Sequence, residues 1–116
     1  MEECIFCKIV NGLIPSSKVY EDEKTFAFDD IHPVSPVHVL VVPKKHIPTL
    51  MDVGTDEKDY LSAMIDAVQE VARIKGIDQR GFRMVVNCNE EGGQIIYHLH
   101  MHVLGGRRIT LKDKLV

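Results

Sequence analysis

The chain has 116 residues and a mass of 13.1 kDa, which allows one domain over residues 1–116 and no second core. Its 14 Lys and Arg against 17 Asp and Glu leave a net charge of -3, which argues against the basic surface that sequence-general DNA or RNA binding needs. No apolar run approaches the ~20 residues needed to cross a bilayer, and the acidic opening Met1-Glu2-Glu3 is unlike a signal peptide, so no membrane role and a cytoplasmic location are expected.

Taken in chain order, Phe6 to Asn11 reads as a short helix, ended by Gly12 and Pro15. Lys18 to Glu21 and Thr25 to Asp29 read as strands joined by the polar turn Glu21-Asp22-Glu23-Lys24. Ile31 to Val37 carries two prolines and reads as a loop, and the β-branched run His38 to Val42, closed by Pro43, reads as a strand. Lys44 to Gly54 has no periodicity. A long helix follows, with Thr55 as N-cap and Asp56 and Glu57 in its first turn. Leu61, Ile65, Val68 and Ala72 recur at helical spacing, Met64 and Val71 widen the stripe, and Gly76 is the expected C′ residue. Phe82 to Asn87 is a further strand, Asn89 to Gln94 a polar turn, and Ile95 to Leu104 the last strand. The tail from Arg107 stays unassigned. With one long helix and no βαβ alternation, the expected fold is α+β: an antiparallel sheet with the helix on one face.

Six histidines are present, three of them within five positions in Tyr97-His98-Leu99-His100-Met101-His102-Val103-Leu104. Side chains alternate along a strand, so Leu99, Met101 and Val103 share a core face. His98, His100 and His102 share the other, with Cα atoms roughly 6.7 Å apart at each step. Two chemistries suit such a row. The imidazoles could hold a metal, although the outer pair is too far apart for all three to meet one zinc comfortably. Alternatively they face a phosphoryl group, one ring attacking phosphorus while a neighbour handles a proton. The Gly92-Gly93-Gln94 turn before the strand supports the second, since it lets the backbone bring N–H groups close. Of the other histidines, His32 reads as a solvated loop residue.

The three cysteines, Cys4, Cys7 and Cys88, do not make a disulfide framework. Cys4-Ile5-Phe6-Cys7 leaves three readings open: half a zinc site, a redox pair or two buried thiols. Cys88 reads as a small core residue.

The segment His98-Leu99-His100-Met101-His102-Val103-Leu104 resembles the His-φ-His-φ-His-φ-φ motif of the histidine-triad superfamily, φ being apolar. The closest similarity is to its Hint-like branch. Further matching pieces are Ile5-Phe6-Cys7-Lys8-Ile9, Asp29-Asp30-Ile31, the run from Pro36 to His46, Arg83-Met84-Val85-Val86-Asn87, Gly92-Gly93-Gln94 and Leu104-Gly105-Gly106-Arg107. The resemblance implies a sheet of about five antiparallel strands, with one long helix and a short N-terminal one. It also implies a purine nucleotide-binding homodimer that hydrolyses nucleoside 5′-phosphoramidates to nucleotide and amine. His100 would be the nucleophile, with His102 and His38 flanking the phosphate and His98 completing the set. Asp30 would hold the ribose hydroxyls, and Phe6, Ile9, Phe28 and Ile31 would line the base and ribose pocket. Asn87, Gly93, Gln94 and Ile95 would lie on the phosphate side. The same resemblance implies a structural zinc held by Cys4, Cys7, His46 and His98.

Two positions depart from the pattern. Ile95 stands where the branch usually has Ser or Thr, whose hydroxyl can help the leaving amine, and Asn89 stands where Gly is frequent. Two other functions are therefore carried beside phosphoramidate hydrolysis. One is a nucleotide-binding, protein-interaction module with weak catalysis. The other is a dinucleotide polyphosphate hydrolase, a branch that usually has Gln at the place of His102.

Overall fold

A computed structural model of the chain describes residues 3–113. Five strands form one antiparallel sheet in the order β1-β2-β3-β5-β4: β1 Lys18–Glu21, β2 Thr25–Asp29, β3 Val37–Pro43, β4 Arg83–Val85 and β5 Met101–Gly105. Two α-helices, α1 Ile5–Val10 and α2 Lys58–Ile74, cover opposite faces. This is the α+β architecture expected. No helix of the described residues is long and apolar enough to cross a membrane.

The sheet is apolar on both sides. Ala27, Val39, Val41, Met101 and Val103 point one way and pack with Met64, Ala67, Val68, Val71 and Ala72 of α2. Their sequence neighbours Phe26, Phe28, Leu40 and Val42 point the other way and form a second cluster with Phe6 and Ile9 of α1. A helix of six residues is too short to hold its shape alone, so this packing is what keeps α1 folded. Burial on the helix side follows the expected stripe except at Ile65, which is exposed. The helix also starts later than expected. Thr55 opens a 3₁₀ turn, Thr55–Glu57, in which the Glu57 carboxylate accepts the Gly54 N–H at 3.0 Å, and α2 begins at Lys58. Its end is as expected. Gly76, at φ +71°, donates its N–H to the Arg73 carbonyl, and Ile77 donates to that of Ala72, which closes a Schellman motif.

The two last strands are shorter than their hydrophobic runs. The run over Phe82 to Asn87 pairs only at Arg83–Val85. The run over Ile95 to Leu104 enters the ladder only at Met101. Its partner β3 ends at Pro43, which has no N–H to continue the ladder. Upstream of Met101 the chain therefore finds other partners: Leu99 N–H donates to the Ile47 carbonyl at 2.7 Å, and the Gln94 side chain donates to the Pro48 carbonyl at 2.8 Å. Side-chain alternation survives this departure. Leu99 still reaches the helix-side core, and His98 and His100 stay on the α1 side. Cys88 is half-buried, its thiol beside the Asn89 amide, and is not a core residue.

Candidate active site

The α1 face of the sheet gathers His38 from β3, His102 from β5 and His98 and His100 from the extended segment before it, all four buried. Phe6 sets its ring edge-on to His100 and His98, with centroids 5.1 Å and 5.9 Å away, and Phe28 stands 5.7 Å from Phe6. Phe6, Ile9 and Phe28 thus form an apolar wall beside the histidines, whereas Ile31 projects into solvent.

Each ring's tautomer is set by a neighbour that can act in one sense only. Carbonyl oxygens only accept, so His98 donates from Nε2 to Pro43 at 2.8 Å, and His100 donates from Nδ1 to the His98 carbonyl at 2.7 Å. His98 Nδ1 and His100 Nε2 are therefore lone pairs. A backbone N–H only donates, so Val34 gives its proton to His38 Nδ1 at 3.2 Å. His38 then carries its own proton on Nε2, 3.0 Å from His102 Nδ1 and 3.4 Å from the Asp30 carboxylate. By accepting it, His102 keeps its proton on Nε2. No described residue bonds His100 Nε2, and no buried polar side-chain atom among the described residues lacks a partner. That lone pair therefore opens to solvent.

Burial pushes all four rings toward neutrality. It lowers His100 and, against the attraction of Asp30, His38. It takes His98 down to about 4, and His102 to about 3 with help from His100 and His38. An unprotonated imidazole with its free nitrogen facing outward is a nucleophile near neutral pH.

Beyond this row lies a second cluster. Cys4 caps α1, its thiol accepting the Cys7 N–H at 3.3 Å, so the short helix presents both thiols at one end. They meet His98 Nδ1 at 3.2 Å and 3.5 Å, and Cys7 meets His46 Nδ1 at 3.3 Å. All four donor atoms lie within 4.8 Å of one another. Sulfur and nitrogen ligands of a tetrahedral zinc stand about 3.5 Å apart, so the set fits that ion. The Pro43 carbonyl, by holding the His98 proton on Nε2, supplies the outer hydrogen bond that metal-binding histidines use. Burial and the adjacent Cys4 push the Cys7 thiol up to about 11. Cys4 and Cys7 form no disulfide.

The loop before the triad folds otherwise than expected. The N–H groups of Gly92, Gly93 and Gln94 are spent inside a 3₁₀ turn, on the carbonyls of Asn89, Glu90 and Asn89. They do not face the histidines. The first amide past the turn, that of Ile95, has no partner among the described residues, and the Ile95 side chain is 89% exposed. Gln94 is buried as a brace, its carbonyl oxygen accepting the Asn89 N–H and its amide donating to Pro48 and Ile96. Asn87 donates to the Gly92 carbonyl at 2.8 Å. Asn89 adopts φ +62°, a conformation that favours glycine. Lys44 and Lys45 pair with Glu21 and Glu57, away from the histidines, and His32 is exposed. Two participants gave no sequence signal: the Pro43 carbonyl and the Val34 N–H act through the backbone, which any residue type could supply.

The HIT domain family matches residues 11–109. The chain belongs to the HIT family. Among relatives of this HIT chain, the purine nucleoside phosphoramidase of Escherichia coli K12 is 45% identical over 106 residues, covering 91% of this chain and 89% of the relative. Protein HitA of Neisseria gonorrhoeae is 39% identical over 105 residues, covering 90% and 97%. Solved structures are equally near. A histidine triad protein from Clostridium difficile superposes with a TM-score of 0.91 at 49% identity, covering 95% of this chain and 96% of the other. A HIT family hydrolase from Legionella pneumophila also gives 0.91, at 43% identity, covering 97% and 100%.

One pH effect follows from the buried pair His38–His102. His102 drops from its ordinary 6.5 to about 3 on folding, so between those values the unfolded chain takes up a proton that the folded chain refuses. Its contribution to stability is whole above about pH 6.5 and is lost as the pH falls toward 3. The melting temperature should therefore fall between pH 7 and pH 5, with a shallower slope for His102→Asn. Parallel profiles for the two proteins would contradict this origin.

Proposed function

We propose that this chain is a purine nucleotide-binding hydrolase that cleaves the P–N bond of nucleoside 5′-phosphoramidates through a nucleotidyl intermediate on His100. The observation that carries the reading is the hydrogen bond from His100 Nδ1 to the His98 carbonyl, which leaves the Nε2 lone pair outward. That pair forms a bond to phosphorus. The P–N bond breaks, its electrons go to the departing nitrogen, and His102 Nε2–H supplies the proton that makes it a neutral amine. The negative charge left on the His102 ring is matched by the positive charge of the His100 ring, which bonds phosphorus while keeping its Nδ1 proton. His102, now a base, takes a proton from water as the water oxygen attacks phosphorus, and the histidine–phosphorus electron pair returns to His100 Nε2. The similarity to the E. coli enzyme named a purine nucleoside phosphoramidase supports this substrate class.

Phe6, Ile9 and Phe28 would offer flat apolar walls to the base, with Ile31 closing on its open side. Among the described residues the Asp30 carboxylate accepts a hydrogen bond only from the His32 N–H, lies 3.4 Å from His38 Nε2, and keeps lone pairs for two ribose hydroxyls. On the phosphate side the free Ile95 amide is a better donor than the turn amides of Gly93 and Gln94, with Asn87 holding the loop in place. Cys4, Cys7, His46 and His98 would hold a structural zinc that ties α1 to the catalytic segment. It would supply no chemistry to the reaction. A homodimer would form across β4, an edge strand of three residues that carries the exposed Met84 and follows the exposed Phe82.

One observation favours the binding-module reading. An exposed isoleucine at position 95 cannot donate a hydrogen bond to the leaving amine.

With adenosine 5′-phosphoramidate, the wild type should release AMP, and His100→Ala should bind AMP by calorimetry while losing at least ~1000-fold in kcat. In the same assay Ile95→Ser should raise kcat. AMP binding without turnover in the wild type would sink the hydrolase reading and leave the nucleotide-binding module. Protein purified without added zinc should carry about one zinc per chain, and chelation should lower Tm by more than about 5 °C. Metal well below stoichiometry together with an unchanged Tm would refute the zinc assignment. Light scattering should give twice 13.1 kDa, and Met84→Lys should shift the population toward monomer, whereas a monomeric wild type at micromolar concentration would rule the dimer out.

A further inference from the structure

The tautomer of His38 decides where His102 carries its proton, and it is set by one backbone N–H, that of Val34. Val34 lies in the loop between β2 and β3, an exposed segment with two prolines. Something must hold its backbone in place.

The opposite side of Val34 shows what does. Its carbonyl accepts a hydrogen bond from Arg107 Nη2 at 3.2 Å. The same nitrogen donates to the Asp113 carboxylate at 2.8 Å, and Asp113 is itself fixed by the N–H and hydroxyl of Thr110. Arg107 comes within reach because Gly106 brings the chain against the loop at φ +86°, where an added Cβ would lie 2.8 Å from the Pro36 Cβ. A continuous row of contacts therefore runs from Asp113 through Arg107, Val34 and His38 to His102. The Val34 N–H and carbonyl belong to successive peptide groups joined at its Cα, so holding the carbonyl limits how far the N–H that faces His38 can turn.

We propose that Arg107 is a positioning residue. Through the backbone of Val34, gripped at its carbonyl, it holds His38 as the Nε2–H tautomer, and His38 in turn keeps the His102 proton on Nε2. Without that anchor the Val34 N–H is free to swing away and His38 can place its proton on Nδ1. His38 Nε2 then becomes a lone pair, His102 turns its own proton inward to meet it, and His102 Nε2 becomes a lone pair. A lone pair there can neither protonate the departing amine nor sit comfortably beside an anionic phosphate. The link to turnover rests on the phosphoramidase reading, whereas the link to the His38 ring does not.

The test uses the full chain labelled with ¹⁵N in its histidines. Long-range ¹H–¹⁵N spectra report the protonated nitrogen of each ring, with His38 assigned from the signals missing in His38→Asn. The wild type should show His38 as the Nε2–H tautomer, and Arg107→Ala should shift it to a mixture. In adenosine 5′-phosphoramidate turnover, Arg107→Ala should lower kcat about fivefold, what one lost hydrogen bond is worth, with KM held within about twofold. Arg107→Lys should restore most of both signals, since an ammonium can also reach the carbonyl. If Arg107→Ala does not fold, Asp113→Asn should move the His38 signals the same way by less. An unchanged His38 tautomer in whichever of these variants folds overturns the proposal, even if kcat falls. A shifted tautomer with no turnover in any protein, wild type included, upholds the positioning role and overturns the phosphoramidase reading instead.

Discussion

The proton on His98 Nε2 is the constraint from which the rest of the site follows. It is held by the Pro43 carbonyl at the end of β3, on a ring with no solvent exposure. With the proton there, Nδ1 must offer a lone pair, and it offers it to the thiols of Cys4 and Cys7 on α1. The carbonyl of the same residue accepts the His100 Nδ1 proton, so the outward lone pair of His100 is a consequence of where His98 sits. One residue thus joins the short helix, the sheet and the His100 ring. Moving the His98 proton to Nδ1 would face a donor against the Cys4 and Cys7 thiols and take the ring's hydrogen bond away from the Pro43 carbonyl, a costly loss for a buried group.

The second apolar face of the sheet explains why these rings can be neutral. Sheets with one face in water keep their histidines solvated and close to their ordinary pKa. Here Phe6, Ile9, Phe26, Phe28, Leu40 and Val42 exclude water from the histidine side. Burial then lowers His38, His98, His100 and His102 together. Desolvation and tautomer selection divide the work. The first removes protons from the rings, and the second decides which nitrogen is left bare. Asp30 opposes the trend at His38 and His100, and the Pro43 and His98 carbonyls oppose it at His98 and His100, but burial outweighs them.

Much of this was legible in local sequence. The alternation His98-Leu99-His100-Met101-His102 determines which residues share a face, and it does so even where the segment leaves the ladder, because extended backbone alternates with or without a partner strand. Gly76 marked its helix end for an equally local reason, since few other residues adopt positive φ without strain. Elements set by competition between partners were misjudged. Thr55 looks like an N-cap, yet Glu57 reaches back to the Gly54 N–H and a 3₁₀ turn forms first. Ile65 fits the apolar stripe by spacing but lies outside the arc that meets the sheet. The glycines at 92 and 93 suggested free N–H donors, but the turn they permit consumes those donors itself.

By itself the sequence determined the strand faces, the long helix, the α+β class and, through resemblance, the gathering of Cys4, Cys7, His46 and His98 and of His38, His100 and His102. These depend on residue type and on spacing along the chain, which a sequence displays directly. The tertiary structure alone decided the proton positions and the depth of burial. Both depend on backbone groups of Pro43, Val34 and His98 meeting particular ring nitrogens, and on α1 closing over the sheet. A carbonyl or an N–H is present at nearly every residue, so no sequence signal marks the few that a fold brings to within 3.2 Å of an imidazole.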